Sequence, residues 1–197
     1  AILKDDDRIR SAGRALIGTD LVILDDNGRE QPAGAIGEVV VRGPQIAKGY
    51  LNMPEETDRQ FRNGWFYTGD LGCLDSDGFL YLHDRKKDMV ITGGENVYSF
   101  EVEEALVQHP DVMEAAVFGV PDVVYGESLM AVIIPRSGSS ICASELIEHC
   151  RSLIGGYKIP RRIVFSGELP KNSLGKIVKS QLRQRYAKST GAQDGQA

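Results

Sequence analysis

The period of the apolar residues changes near position 84, and no other feature limits the possible folds as much. Upstream, LVILDD (21–26) and GEVVVRG (37–43) are strand-like runs separated by the turn signal DNGRE (26–30). Asn52, Pro54, Glu55 and Glu56 mark the start of a short helix, with acids where its dipole favours them, and Asn63-Gly64 stops it. Two further strands are expected over 66–74 and 79–84, joined by DSDG (75–78). That turn looks like the start of a calcium loop but lacks the downstream ligands, so a hairpin turn is expected.

From about residue 84, strands alternate with helices. Val102, Ala105 and Leu106 recur at helical spacing until His109-Pro110. VMEAAVFGV (112–120) and SLMAVIIP (128–135) read as buried strands. Leu146, Ile147, Cys150, Leu153 and Ile154 form one apolar stripe, and Gly155-Gly156 stops that helix. RIVF (162–165) is a short strand, a last helix is expected over about 177–187, and the polar tail 188–197 is expected to be disordered. The fold class is therefore α+β: a β-rich segment over 1–83, a charged junction over 84–88 and a compact α+β domain over 89–187.

Composition removes several functions. A net charge of −5 argues against a nucleic-acid partner, since phosphate binding needs a basic surface. No apolar run approaches the roughly 20 residues that span a bilayer, and no secretory pattern is present. A chain that opens at Ala1 and runs directly into charged residues reads as a fragment or a processed product. Cys73, Cys142 and Cys150 have no metal-ligand spacing. Cys142 and Cys150 would lie about 12 Å apart along a helix, too far for a disulfide, so reduced thiols in a cytoplasmic protein are expected. His83, His109 and His149 fit no acid–base or metal constellation, and Trp65 reads as packing.

Four segments resemble the adenylate-forming superfamily of acyl-CoA synthetases, luciferases and peptide-synthetase adenylation domains. They are GEVVVRGPQIAKGY (37–50), GWFYTGDLG (64–72), DRKKDMVITGGENVYSFEVEEAL (84–106) and LPKNSLGKIVK (169–179), in the family's order and spacing. The GGEN stretch is similar to the CoA-ligase branch. The resemblance implies a barrel-like end of the large N-terminal domain followed by a small, mobile C-terminal domain. It also implies that the Ser/Thr/Gly-rich triphosphate loop, the motif ending in Thr-Glu and most of the acyl pocket lie upstream. Neither motif occurs in this chain, no Walker-type loop replaces them, and no metal ligands are expected here.

The chemistry implied is activation of a carboxylic acid, fatty or aryl, as acyl-AMP, followed by transfer to CoA, with ATP and CoA as co-substrates and Mg2+ held mainly upstream. Negative charge grows on the transferred phosphoryl oxygens, so a positioned cation stabilises that transition state. Lys176 matches the family's catalytic lysine; otherwise it is a solvated surface charge. Asp70 in YTGD matches the residue accepting both ribose hydroxyls, a task suited to two acceptor oxygens. Arg85 matches the arginine near ribose and phosphate, its alternative being a salt bridge at the junction. Lys87 matches the hinge about which the C-terminal domain turns between half-reactions; many relatives carry Asp there. After turning, Gly93, Gly94 and Glu95 would line the pantetheine tunnel, where glycines permit close approach. Tyr157 and Arg161 match positions near the CoA nucleotide in some relatives, and Tyr125 is placed to stack on adenine, with edge packing as the alternative. Two rival readings stand beside this one: an enzyme that loads a carrier protein, and a fragment acting only as an interaction module. The resemblance leads to an expectation that the chain alone is inactive.

Overall fold

The computed structural model describes residues 8–187, so the expectation for the tail 188–197 falls outside the described residues. Contacts divide the chain between Lys87 and Asp88 into two units.

The first unit is a curled antiparallel sheet. Its elements are β1 (Gly13–Arg14), β2 (Asp20–Leu24), β3 (Gly37–Arg42), the helix α1 (Pro54–Gln60), β4 (Phe61–Arg62), β5 (Trp65–Leu74) and β6 (Phe79–Arg85). The strand order is β1-β6-β5-β3-β2, with β4 paired to β5. Ile23, Val39, Val40 and Leu71 are its buried apolar residues. The turns close as the sequence demands: Asp25 Oδ1 accepts the Asn27 and Arg29 N–H groups, and Asp75 Oδ1 accepts those of Asp77 and Phe79. DSDG is thus a hairpin turn, and among the described residues no cluster of three His, Cys, Asp or Glu could hold a metal. The β5–β6 register shifts between Leu71 and Gly72, where a Cβ on Gly72 would stand 2.6 Å from the Tyr81 carbonyl oxygen.

The second unit has three layers. A 3-10 turn over Lys86–Asp88 leads into β7 (Val90–Thr92), β8 (Glu95–Val97), the helix α2 (Ser99–Val107), β9 (Val112–Asp122) and β10 (Gly126–Pro135). Helix α3 (Ala143–Leu153), β11 (Arg162–Phe165) and helix α4 (Lys179–Ala187) complete it. β9 and β10 pair antiparallel along almost their whole length, and β11 joins β10 in parallel. Alternation along both strands fills two cores. Ala115, Val117, Leu129, Ala131 and Ile133 pack with Val102, Leu106 and Leu146, from α2 and α3. Ala116, Phe118, Met130, Val132 and Ile134 pack with Leu169 and with Leu182 of α4. Covering both faces explains why these strands read as continuous apolar runs.

Three local differences from the sequence reading have physical causes. The β7–β8 hairpin is too short to generate a recognisable period, with only three residues on each side. Helix α3 ends at Leu153, before Gly155-Gly156, because Ile154 turns into an extended conformation and packs on the core while Leu153 stays 45% exposed. Strand β6 runs through Arg85, so Asp84 and Arg85 are strand residues and only Lys86–Asp88 leave the sheet. Among the described residues no helix is long and apolar enough to cross a membrane.

The packing yields a stability prediction. Leu106 is fully buried between α2 and the sheet, whereas Val107 beside it is 43% exposed. Leu106→Ala should cost about 2–5 kcal/mol in urea unfolding, and Val107→Ala under about 0.5 kcal/mol. Equal losses for the two would contradict this core.

Candidate functional site

Within the first unit, the YTGD segment is held by side-chain hydrogen bonds. Thr68 Oγ1 donates to the Val39 carbonyl at 2.8 Å and accepts the Asp70 N–H at 3.0 Å. Gly69 takes φ 72°, a conformation that favours glycine, and its N–H donates to Glu38 Oε1 at 3.3 Å. Asp70 stands directly opposite Arg85 across β5 and β6, and Arg85 Nε lies 3.0 Å from Asp70 Oδ1. With side chains 57% and 32% exposed, this pair contributes little stability; its consequence is to fix where the carboxylate sits.

Glu38 was not singled out by the sequence reading. Its signal is an acid within the apolar run GEVVVRG, and its side chain is only 12% exposed. It braces Gly69 through one oxygen and Lys86 through the other, at 3.2 Å. Lys87, in the 3-10 turn, is exposed.

Within the second unit, β7 and β8 are joined by Gly93-Gly94, with Thr92 opposite Glu95 and φ of 59° and 87° at the two glycines. Two successive positive φ values make this a turn that strongly favours glycine. The Gly93 N–H donates to the Tyr125 carbonyl at 3.0 Å, and a Cβ on Gly93 would press on the Tyr125 ring at 3.3 Å. The Arg161 guanidinium lies over that ring, 3.9 Å from its centroid. Gly93, Tyr125 and Arg161 therefore form one cluster, with Gly94 and exposed Glu95 continuing along the hairpin.

Asp122, also missed from sequence, holds the cluster's other side. Its Oδ1 accepts the Val124 and Tyr125 N–H groups at 2.9 and 3.0 Å. The Tyr125 and Val124 backbone donors hold its carboxyl below the usual Asp range. Because the folded pKa is lowered, this turn is at full strength above the ordinary Asp value and weakens only as pH falls through the lowered one.

Tyr157 stands apart from the cluster in the contacts it makes. It lies in the 3-10 turn Gly156–Lys158, its ring against Gly155 and 5.5 Å from Lys158 Nζ. Lys158 itself reaches both oxygens of Glu101 on α2, at 2.6 and 2.7 Å. Burial works against its charge, but the Glu101 carboxylate outweighs it and lifts the lysine above its ordinary value.

Lys176 ends a tight turn closed by the Lys171–Ile177 bridge. Asn172 Oδ1 accepts the Leu174 and Lys176 N–H groups at 3.0 and 2.9 Å, and the Asn172 N–H donates to the Lys176 carbonyl at 2.9 Å. Gly175 takes φ 76° in the same turn. The backbone at Lys176 is thus locked while its side chain is exposed, a geometry that presents a cation outward. Cys73, Cys142 and Cys150 are unbridged, and Cys73 Sγ lies 3.3 Å from His83 Nε2. Burial first, and Asp75 second, push the Cys73 thiol up, so it is not an activated nucleophile.

Comparison with known proteins agrees with these motifs. The model of the AMP-binding enzyme family matches residues 1–51, and that of the AMP-binding enzyme C-terminal domain matches residues 101–176. A feruloyl-CoA synthase from Amycolatopsis sp is 43% identical over 91% of this chain and 37% of its own length. A 2-succinylbenzoate–CoA ligase from Geobacillus kaustophilus is 44% identical over 92% of this chain and 37% of its own. The ATP-bound crystal structure of MatB from Rhodopseudomonas palustris superposes with a TM-score of 0.87 at 39% identity, over 90% of this chain and 36% of that one. The chain thus spans little more than a third of the length of the relatives it matches. With both family models, the relatives and the fold in agreement, the chain belongs to the adenylate-forming, AMP-binding enzyme superfamily, as a portion of such an enzyme.

Proposed function

We propose that this chain is the C-terminal part of an ATP-dependent acyl-CoA synthetase that activates a fatty or aryl carboxylic acid as acyl-AMP and passes it to CoA. The observation that carries the reading is the Asn172-locked turn that leaves Lys176 exposed on a fixed backbone. A carboxylate cannot donate its acyl group directly, because oxide would have to leave. Attack on the α-phosphate of ATP makes AMP the leaving group and releases pyrophosphate. In that step the Lys176 ammonium stabilises the charge gathering on the phosphoryl oxygens.

Asp70 accepts the ribose hydroxyls, and Arg85, already against that carboxylate, orients it and approaches the phosphate. In the second half-reaction the CoA thiol attacks the acyl carbonyl and AMP leaves. Gly93, Gly94 and Glu95 then flank the pantetheine, Tyr125 and Arg161 offer a stacked ring and cation to the CoA nucleotide, and Tyr157 stands near it. Lys87 is the hinge between the C-terminal domain over 89–187 and the end of the N-terminal domain over 1–83. Mg2+ belongs with the triphosphate loop of the upstream segment, and no step here is routed through it. The three free thiols fit a cytoplasmic setting.

Three experiments test this reading. The 197-residue chain, which lacks the triphosphate-loop motif, should release no pyrophosphate with any of a panel of fatty and aryl acids. In the full-length enzyme, Lys176→Ala should cut pyrophosphate release by at least about 10²–10³ while leaving thioester formation from pre-made acyl-adenylate nearly intact. Gly94→Leu, forced into a left-handed backbone conformation and bulky besides, should do the reverse. Loss of the same half-reaction in both variants would sink the division of roles, and acyl transfer only when a carrier protein is supplied would replace CoA as acceptor. The third variant, Lys87→Pro, fixes φ near −65° and should slow thioester formation far more than adenylation. Equal losses in the two would remove the hinge from Lys87.

A further inference from the structure

Lys87 is flanked on each side by a residue tied into its own unit. Lys86 Nζ lies 2.8 Å from Asp26 Oδ1 and 3.2 Å from Glu38 Oε2. Burial works against the charge of Lys86, but its hydrogen bonds to Asp26 and Glu38 outweigh it and raise its pKa. Glu38 is mostly buried and also accepts the Gly69 N–H, so this anchor reaches the YTGD segment. On the other side, Asp88 Oδ1 lies 2.7 Å from an Arg183 guanidinium nitrogen, with side chains 14% and 29% exposed. Arg183 follows Leu182, which is buried in the core under β9 and β10, so Asp88 is fastened to the packed body of the second unit. Lys87 is exposed, and no hydrogen bond or ion pair to a described residue holds it.

We infer that these two ion pairs are clamps that confine the turning of one unit against the other to the few torsions between them, with Arg183 and Glu38 as positioning residues. The inference rests on the hinge reading above. A side chain moves with its own Cα. While Lys86 and Asp88 keep their partners, only ψ of Lys86, both torsions of Lys87 and φ of Asp88 can change freely. Any torsion beyond them would pull a lysine off Glu38 or an aspartate off Arg183, leaving a largely buried carboxylate without its cation. A pivot this short makes the end points of the rotation reproducible, which a long flexible linker would not.

The test exploits the short pivot. Proline at position 87 fixes φ there and also restricts ψ of Lys86, so it constrains two of the four torsions that the clamps leave. Releasing the clamp on the Asp88 side should hand the rotation to ψ of Asp88. In the full-length enzyme, with the acid that a fatty and aryl panel selects, Arg183→Gln added to Lys87→Pro should restore thioester formation from pre-made acyl-adenylate by about tenfold over Lys87→Pro alone. Arg183→Lys, which keeps the charge pair, should restore little. A substitution that merely weakened the fold would lower the double variant further, so no gain or an added loss overturns the clamp while leaving the hinge in place. If Lys87→Pro alone is not selective for thioester formation, it is the hinge reading that fails, and the clamp falls with it. Independently of turnover, Arg183→Gln should speed amide hydrogen exchange at Asp88 and Met89 by about tenfold, with Val117 and Ile133 still protected. Unchanged exchange at Asp88 also overturns the proposal.

Discussion

The long antiparallel pairing of β9 with β10 is the constraint on which the second unit depends. Nine partners in register, from Gly126–Asp122 to Ile134–Glu114, alternate side chains between two cores, before the register shifts at Pro135. A slip of one residue would exchange every member of one core with the other. Because the register is fixed, α2 and α3 must lie on one face and α4 on the opposite one. The same register fixes the tip of the hairpin, where Asp122 and Tyr125 stand, and so fixes where Arg161 finds a ring to cover. The candidate CoA cluster is therefore a consequence of core packing, not of the loops alone.

A second device recurs at the turns, those of the candidate site included. A short polar side chain accepts backbone N–H groups within its own turn, at Asp25, Asp75, Asp122 and Asn172. Each satisfies donors that no strand partner reaches, which is the physical basis of Asx turns. At Asp25, Asp75 and Asp122 this lowers the carboxyl pKa, the backbone donors being the largest contribution. At the lysine-bearing turn the residue is Asn172, an amide that brings the same acceptor without a negative charge. An aspartate there would set a carboxylate beside the cation that the proposed chemistry needs. Asparagine keeps the turn and spares Lys176 a competing partner.

Most elements were legible because their apolar runs are long enough to read. VMEAAVFGV and SLMAVIIP are long, near-continuous apolar runs, the stripe from Leu146 to Ile154 covers about two helical turns, and the strands and helix form where those runs stand. The three-residue strands β7 and β8 were not legible, since such runs carry no period, although the Gly-Gly pair between them did mark a turn. Within the site, Gly93 and Lys176 were visible through motifs, whereas Glu38, Glu101, Lys158 and Arg183 were not. These act through partners far apart in the chain, 57 residues for Lys158 and Glu101 and 95 for Arg183 and Asp88. One sequence shows which residues carry charge; it does not show which charges meet.

The Asp70–Arg85 pair joins the two alternative readings that the sequence left open for Arg85. As a salt bridge alone it would be a poor stabiliser, being more than half exposed on the arginine side. Its location gives it another use. Asp70 follows a glycine in a left-handed conformation that Thr68 and Glu38 hold, and it faces Arg85 in strand register. On the proposed reading, in which Asp70 accepts a diol, its acceptor oxygens must be aimed before the diol arrives, or binding spends energy on ordering them. Arginine suits that duty because its fork can hold one carboxylate oxygen while keeping further donors for a phosphate. A salt bridge and the proposed nucleotide contact are thus compatible roles for Arg85, and on that proposal the first would prepare the second.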